Sequence, residues 1–172
     1  MEARSKEKII NIEIYTDGSL KKTGHFTFGG WAFLVVQDTK LLYYNSGSEY
    51  NTTNQRMELT AIKEALAYIN NIRRKCEKVI IYSDSAYAIN CYLQEWYIKW
   101  QYNGWVNSKG KDVANKDLWM EIIPFFDNFW YDFRKVASHA GNFYNEECDK
   151  LAQDTAMKLK QTWRGSIKYD GK

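Results

Sequence analysis

The sequence predicts an α/β domain built on a mixed β-sheet. Three successive segments near its start are rich in β-branched and aromatic residues, the composition of neighbouring strands. Segments with apolar residues every three or four positions then alternate with two short apolar runs, as helices alternate with strands. With 172 residues, of which 45% are hydrophobic, the chain has material for one sizeable core, so we predict a single domain over residues 1–172.

The first half is predicted to hold three strands and a helix. Ile9 to Asp17 alternates apolar and polar residues and is expected to end in the Gly-Ser turn that follows. Phe26 to Val36 and Leu41 to Tyr50 are joined by a polar tetrapeptide, which predicts an antiparallel meander. Thr52 and Gln55 have capping-box spacing, which predicts a helix start there and places Glu58 in its first or second turn.

The second half is predicted to hold two strands and three helices. The strands are expected at 78–82 and 129–137. A helix is expected from Ala86 to about Trp96, and another after Ala114 and Asn115 that Pro124 kinks or ends. Asn145 is expected to cap a last amphipathic helix that reaches Leu159, which leaves 160–172 as a tail of unknown role.

Charge and cysteine content restrict the class of protein without identifying it. The net charge of +3 suits a polyanionic partner, but the basic clusters at 21–22, 73–75 and 158–160 are each interpreted as ordinary solvated surface. Three cysteines without Cys-x-x-Cys spacing favour a reducing compartment over a disulfide framework or a zinc site. With no apolar segment typical of a signal peptide or a membrane span, we expect a cytoplasmic protein.

Four acidic residues stand in distinctive contexts. Asp17 lies in Tyr-Thr-Asp-Gly-Ser, Glu58 in Asn-Gln-Arg-Met-Glu-Leu, Asp84 in Tyr-Ser-Asp-Ser and Asp149 in Asn-Glu-Glu-Cys-Asp-Lys-Leu-Ala. Each has an ordinary explanation alone, as a turn, capping, helix-terminal or solvent-exposed residue. Together they form the set of hard oxygen ligands that a two-metal nuclease needs.

His139 lies in Ser-His-Ala-Gly, ten residues before Asp149. Imidazole titrates near neutrality and can move protons around an attacking water or a leaving group. A loop histidine bonded to backbone is the alternative, which we favour for His25 but not for His139. We expect His139→Ala to slow the reaction without abolishing it.

The order and flanks of these residues resemble the type 1 ribonuclease H family, from about Ile9 to about Leu159. The resemblance implies a ribonuclease H-like fold with sheet order 3-2-1-4-5. It also implies hydrolysis of the RNA strand of RNA–DNA hybrids, leaving 3′-hydroxyl and 5′-phosphate ends. Two Mg²⁺ ions, replaceable by Mn²⁺, would be held by Asp17 bridging both, Glu58 and Asp84 completing one site, and Asp149 completing the other.

The resemblance also assigns residues that would bind the hybrid. Gly18, Ser19, Asn54 and Gln55 would face its minor groove, where the 2′-hydroxyl separates RNA from DNA. Asn54 and Gln55 are also interpretable as helix caps, and the two roles are compatible. The resemblance adds Trp105 and Asn145 to the substrate-binding residues.

Trp96, Trp100 and Trp105 match the substrate-binding handle of bacterial relatives, and we expect at least the first two to pack its stem. Residues 101–105 are less basic than such a handle usually is, and Ala86 stands where relatives often carry Gln. The first departure implies either weaker hybrid binding or greater use of aromatic packing against the DNA strand. The second removes a possible hydrogen bond in the minor groove.

Two alternatives to this function remain at the level of sequence. One is another nuclease of the same fold, and the other is a catalytically weak or inactive module that binds hybrids. The motifs around Glu58 and His139 argue against the first, and the presence of all four carboxylates argues against the second. We further expect a monomer with no obligatory protein partner, a stand-alone chain, and a bacterial or phage source rather than a eukaryotic one.

Overall fold

A five-stranded mixed sheet forms the centre of the fold. The computed structural model describes residues 11–72, 78–136 and 142–170, with side chains described up to residue 167. The strands are β1 (Asn11–Thr23), β2 (Phe26–Gln37), β3 (Lys40–Tyr50), β4 (Lys78–Ser83) and β5 (Tyr131–Lys135). Their order is β3-β2-β1-β4-β5, which confirms the predicted order. β1 pairs antiparallel with β2 and parallel with β4, so it joins the two halves of the sheet.

β1 is longer than the sequence predicts. The expected turn at Gly18 and Ser19 is wrong, because both residues continue the strand and pair with Trp31 and Gly30 of β2. The chain reverses at residues 24–25 instead. Long-range pairing with β2 outweighs the local turn propensity of Asp-Gly-Ser, as tertiary context often does for strands. Asp17 therefore lies in the middle of a strand rather than at its end.

Five helices cover the two faces of the sheet. They are α1 (Asn54–Ile72), α2 (Ala86–Leu93), α3 (Trp96–Tyr102), α4 (Lys116–Ile122) and α5 (Phe143–Asp170), and a 3₁₀ turn (Ile123–Phe125) contains the proline. In the larger core, helices α1, α2, α3 and α4 pack on one face of the sheet. Its buried residues include Ile14, Leu66 and Trp119. The smaller core joins α5 with the other face, where Tyr15, Cys148 and Ala152 meet.

Two helix starts differ from their predicted caps by a few residues. Thr53, not Thr52, caps α1, because its Oγ1 accepts a hydrogen bond of 3.1 Å from the backbone N–H of Arg56. Asn142, not Asn145, caps α5, since its Oδ1 accepts from the N–H groups of Tyr144 and Asn145. Asn145 itself lies in the first turn of the helix.

The middle helices also differ from the prediction. The single helix expected from Ala86 to Trp96 is two helices, because Glu95 adopts a left-handed conformation with φ of 55° between them. Asn115 precedes α4 as predicted, but its side chain makes no capping hydrogen bond. That side chain instead donates to Gln55 at the start of α1.

α5 continues well past the predicted end at Leu159. The helix reaches Asp170, and Trp163 packs against Phe26 and Phe28 of β2 with ring centroids 4.9 and 5.4 Å apart. The segment interpreted as a tail is therefore helical as far as the structure describes it.

Several predicted features lie outside the described residues. These are Ile9, His139, Cys76 and the basic cluster at 73–75. Cys91 and Cys148 are free and buried. No helix in the described part of the chain is long and apolar enough to cross a membrane.

Candidate active site

Four carboxylates from four different parts of the chain meet just beyond the end of the parallel pairing between β1 and β4. Asp17 lies on β1, and Asp84 follows the end of the adjacent parallel strand β4. Glu58 comes from the second turn of α1 and Asp149 from α5, on opposite faces of the sheet. The carboxyl ends of parallel strands are where α/β sheets commonly place ligands. The structure thus brings together the four acidic residues that the sequence singles out.

Two glycines allow the helices to approach this site closely. A Cβ on Gly18 would lie 2.5 Å from the backbone nitrogen of Glu58, so only glycine lets β1 touch the start of α1. A Cβ on Gly30 would lie 2.7 Å from the backbone nitrogen of Ala156 and would clash with the carbonyl of Ala152. The backbone of α5 therefore rests directly on β2, which sets the depth of Asp149 in the site.

Between β1, β4 and α5 lies an open cleft of about 300 Å³. Three of the four carboxylates line it, while Glu58 approaches Asp84 from the α1 side. The complete lining is Thr16, Asp17, Asp84, Val136, Asn145, Glu146, Asp149 and Gln153. The cleft is therefore strongly acidic and lined by oxygen-bearing side chains.

Asp17 is the carboxylate most affected by this environment. The pKa of Asp17 is raised from 3.8 to about 8. Burial is the largest cause, followed by the negative charge of Asp84 and a hydrogen bond with Asp149. The backbone N–H of Gly18, which donates to Asp17 Oδ1 at 2.8 Å, acts in the opposite direction. Without a cation, Asp17 is expected to hold a proton at neutral pH.

Glu58 shows the same behaviour on the α1 side. The pKa of Glu58 is raised from 4.5 to about 7. Burial is the largest cause, followed by the negative charge of Asp84 and a hydrogen bond with Asp84. Asn54 donates to Glu58 Oε1 at 3.0 Å and lowers the pKa in part. Asp17 is thus affected by Asp84 and Asp149, and Glu58 by Asp84, so electrostatic interactions link the four carboxylates.

The chemistry of this donor set suits hard divalent cations. Clustered carboxylate oxygens are the ligands that Mg²⁺ and Mn²⁺ prefer. Among the described residues, however, no group of three or more His, Cys, Asp or Glu side chains is already arranged to hold one metal ion.

Three polar lining residues and the apolar Val136 are absent from the sequence-based assignment. Gln153 donates from Nε2 to Asp149 Oδ2 at 2.9 Å, and Thr16 donates from Oγ1 to the carbonyl of Tyr82 at 3.1 Å, which ties β1 to β4 beside the site. Glu146 adds a further acidic side chain to the cleft. Two of them, Glu146 and Gln153, can be predicted from helical spacing. They lie three and four positions from Asp149 and therefore share its face of α5.

The residues predicted to face the minor groove lie beside the carboxylates. Gly18 and Ser19 follow Asp17 on β1, and Asn54 contacts Glu58. Gln55 accepts a hydrogen bond of 2.9 Å from Asn115, across the gap between α1 and the start of α4. Arg56 spans the same gap by a bidentate salt bridge to Asp117 at 2.7 Å. The start of α1 is therefore joined to the segment that follows α3.

The predicted handle lies within residues 96–115, which comprise α3 and the segment that follows it. Trp100 is buried and contacts Trp96, Trp105 and Trp119, in agreement with its predicted packing role. Trp105 is half-buried, and the Nζ of Lys116 lies 6.0 Å from its ring centroid. It lines a shallow pocket with Gln101 and Met120, rather than the larger cleft of about 530 Å³ that Trp96 and Trp100 line with Lys99 and Tyr87.

The sheet order and the acidic cleft together place this chain in the ribonuclease H-like class of α/β proteins. The sequence profile of the RNase H family matches residues 10–157. Ribonuclease H of Thermoanaerobacter sp. (strain X514) is 44% identical over 144 residues, which cover 83% of this chain and 88% of that protein. Ribonuclease H of Syntrophomonas wolfei is 42% identical over 148 residues, or 86% of this chain and 97% of that protein.

Solved structures agree with these sequence relatives. LC9-RNase H1, described as a type 1 RNase H with the type 2 active-site motif, superposes with a TM-score of 0.75. It is 26% identical, over 90% of this chain and 75% of that one. LC11-RNase H1, solved in complex with an RNA/DNA hybrid, shares the fold with a TM-score of 0.65 and 19% identity, over 86% of this chain and 98% of that one. The chain belongs to the ribonuclease H family, a family of nucleases.

Proposed function

We propose that this protein is a metal-dependent endonuclease that hydrolyses the RNA strand of RNA–DNA hybrids and leaves 3′-hydroxyl and 5′-phosphate ends. The observation that carries the proposal is that four carboxylates converge beyond the parallel pairing of β1 and β4. They are those of Asp17, Glu58, Asp84 and Asp149. Burial and repulsion raise the pKa of two of them, to about 8 and about 7. Such crowding is costly without a cation and is resolved when one binds.

Asp17 interacts with both Asp84 and Asp149 and would contribute to holding both cations. Glu58 and Asp84 would complete one site, and Asp149 the other, for Mg²⁺ or Mn²⁺. The chemistry supplied by the bound cations is activation of the attacking water and stabilisation of the leaving oxygen. Gln153 would orient the Asp149 carboxylate through its hydrogen bond of 2.9 Å.

His139 is proposed to assist proton transfer, on the strength of its Ser-His-Ala-Gly context alone.

Recognition of the hybrid is proposed to use the surface around the start of α1. Asn54, Gln55, Gly18 and Ser19 surround the carboxylates and offer amide, hydroxyl and backbone groups that can bond a 2′-hydroxyl. We also assign Trp105 and Asn145 to substrate binding, Asn145 because it lines the acidic cleft. The hybrid bound by LC11-RNase H1 supports this choice of substrate.

We propose that all 172 residues form one domain that acts as a monomer in the cytoplasm. The free, buried Cys91 and Cys148 agree with a reducing compartment.

The test compares the wild-type protein with Asp84→Asn on labelled RNA–DNA hybrid, duplex RNA and duplex DNA, with Mg²⁺ and with chelator. We expect internal cuts in the hybrid's RNA strand only, lost with chelator and reduced at least about 100-fold in the variant, because one ligand of the site is weakened. Asp154→Asn, an exposed position on α5, is the control and should cleave normally. Tight hybrid binding with no metal-dependent cleavage by the wild type would make this a binding module instead.

A further inference from the structure

The C-terminal part of α5 and the β1–β2 hairpin form a surface that lies away from the acidic cleft. The helix continues beyond residue 157, where the family match ends. Trp163 packs on Phe26 and Phe28, and Lys160 Nζ donates to the carbonyl of Lys22 at 3.0 Å. These contacts hold the end of the helix against the end of the hairpin.

This surface carries positive charge without compensating acidic residues. No Asp or Glu occurs between positions 18 and 37 or between 155 and 169. Lys21, Lys160 and Arg164 form no salt bridge with any described residue. We call these three residues the basic track. Solvated charges of one sign on packed neighbouring elements attract a polyanion.

The basic track continues the line of the active-site residues. Lys21 is four residues beyond Asp17 on the same strand, and alternation puts the two side chains on the same face of β1. On α5, Lys160 and Arg164 follow Asp149 and Gln153 within one narrow stripe of the helix, given 3.6 residues per turn. Lys160 lies eleven residues beyond Asp149, a rise of about 16 Å along the helix.

We propose that the basic track binds the phosphate backbone of the hybrid, about four or five nucleotides from the cleavage site. The distance follows from the rise of about 16 Å along α5 and a spacing of about 3.4 Å per nucleotide along one strand. This inference rests on the proposed function, since it needs a duplex seated on the carboxylates. The basic track also supplies positive charge to a protein whose handle has no Lys or Arg at residues 101–105.

The test variant is Lys21→Gln with Arg164→Gln, which removes two charges and leaves the hydrogen bond of Lys160 intact. The matched control is Lys40→Gln with Lys158→Gln, which removes the same charge from exposed positions. Lys158 is two residues from Lys160 and therefore faces away from the track. Hybrid affinity is measured in chelator over a range of salt concentrations, and circular dichroism checks that each variant folds.

If the track binds phosphates, the slope of log affinity against log salt should become shallower by about 1.8 in the test variant, because each phosphate contact contributes about 0.9. Between about 50 and 200 mM salt, wild-type affinity would then fall about ten-fold more than that of the test variant. An unchanged slope, or an equal change in the control, overturns the proposal. Because binding is measured in chelator, a wild type that fails to cut with Mg²⁺ contradicts the proposed function separately.

Discussion

Asp17 and Glu58 have raised pKa values because both are largely buried and because nearby carboxylates repel their negative charge. Burial is the largest cause for both Asp17 and Glu58, and the charge of Asp84 is the next. A carboxyl whose pKa is higher in the folded state than in the unfolded chain favours folding only while it is protonated. Its contribution is therefore present below the unfolded pKa and lost as pH rises through the folded pKa.

The metal-free protein is expected to lose stability between about pH 4 and pH 8. The lower limit is set by the ordinary pKa values of 3.8 and 4.5, and the upper limit by the raised values of about 8 for Asp17 and about 7 for Glu58. Asp84→Asn should flatten this dependence and be more stable than the wild type at pH 8 by about 1 kcal/mol, since one pKa unit is worth 1.36 kcal/mol. Urea unfolding in chelator at several pH values measures both effects.

Asp154→Asn provides the comparison, because this exposed residue does not interact with the cleft. Its stability should follow the wild-type pH dependence. A wild type whose stability does not change over this range, or an Asp84→Asn variant with the same slope, would contradict the repulsion described here.

Among the helices and strands, the contact between α5 and β2 determines where Asp149 lies. The contact depends on Gly30, where a Cβ would meet the backbone of Ala152 and Ala156. The same helix carries Gly165, where a Cβ would meet nothing within 4 Å. Substitution of Gly30 therefore tests a packing requirement, whereas substitution of Gly165 tests helix propensity alone.

Gly30→Ala is expected to destabilise the protein by about 1–3 kcal/mol, the usual cost of overpacking, and to lower cleavage by displacing Asp149. Gly165→Ala should stabilise it by roughly 0.5–1 kcal/mol, because alanine favours a helix more than glycine does. Urea denaturation and cleavage rates for the two variants test this. Equal effects of the two substitutions would show that the close contact at Gly30 is unimportant.

The extension of α5 is expected to fold with the rest of the domain through Trp163. Trp163→Ala should cost about 1–2 kcal/mol, less than a fully buried tryptophan, because this side chain is only half-buried. Ile167→Ala, in an exposed position of the same extension, should cost little. A single unfolding transition with this difference supports one domain over the whole chain, whereas no effect of Trp163→Ala would leave 160–172 as an appended tail.

For the protein as a whole, cation binding should act as a stabilising ligand. A cation that binds only the folded form stabilises it by about 2.7 kcal/mol at 100 times its dissociation constant. We expect Mg²⁺ to raise the melting temperature more at pH 8 than at pH 6, because at the lower pH protons on Asp17 and Glu58 compete with it.

Asp84→Asn should respond much less to Mg²⁺, and NaCl of equal ionic strength serves as the control. An unchanged melting temperature of the wild type in millimolar Mg²⁺ would make a preformed two-metal site doubtful. Thermal unfolding followed by circular dichroism is sufficient for these comparisons.

Local patterns were sufficient to predict the presence and type of the major strands, and the motifs were sufficient to identify the four acidic residues. They failed where distant contacts decide the outcome. β1 passes straight through its predicted Gly-Ser turn because β2 pairs with it, and α5 passes Leu159 because Trp163 finds Phe26 and Phe28. The caps Thr53 and Asn142 lie one and three residues from the predicted ones, since several nearby polar residues can cap equally well.

Residue type, periodicity and order along the chain were sufficient to predict the class of fold, the four acidic residues that the structure brings together, and the family resemblance. The raised pKa values of Asp17 and Glu58 follow only from the folded structure, since acidity depends on burial and on neighbours distant in sequence. The tertiary structure also decided that Lys21 and Lys160, each interpreted from sequence as ordinary solvated surface, belong to elements that pack against each other.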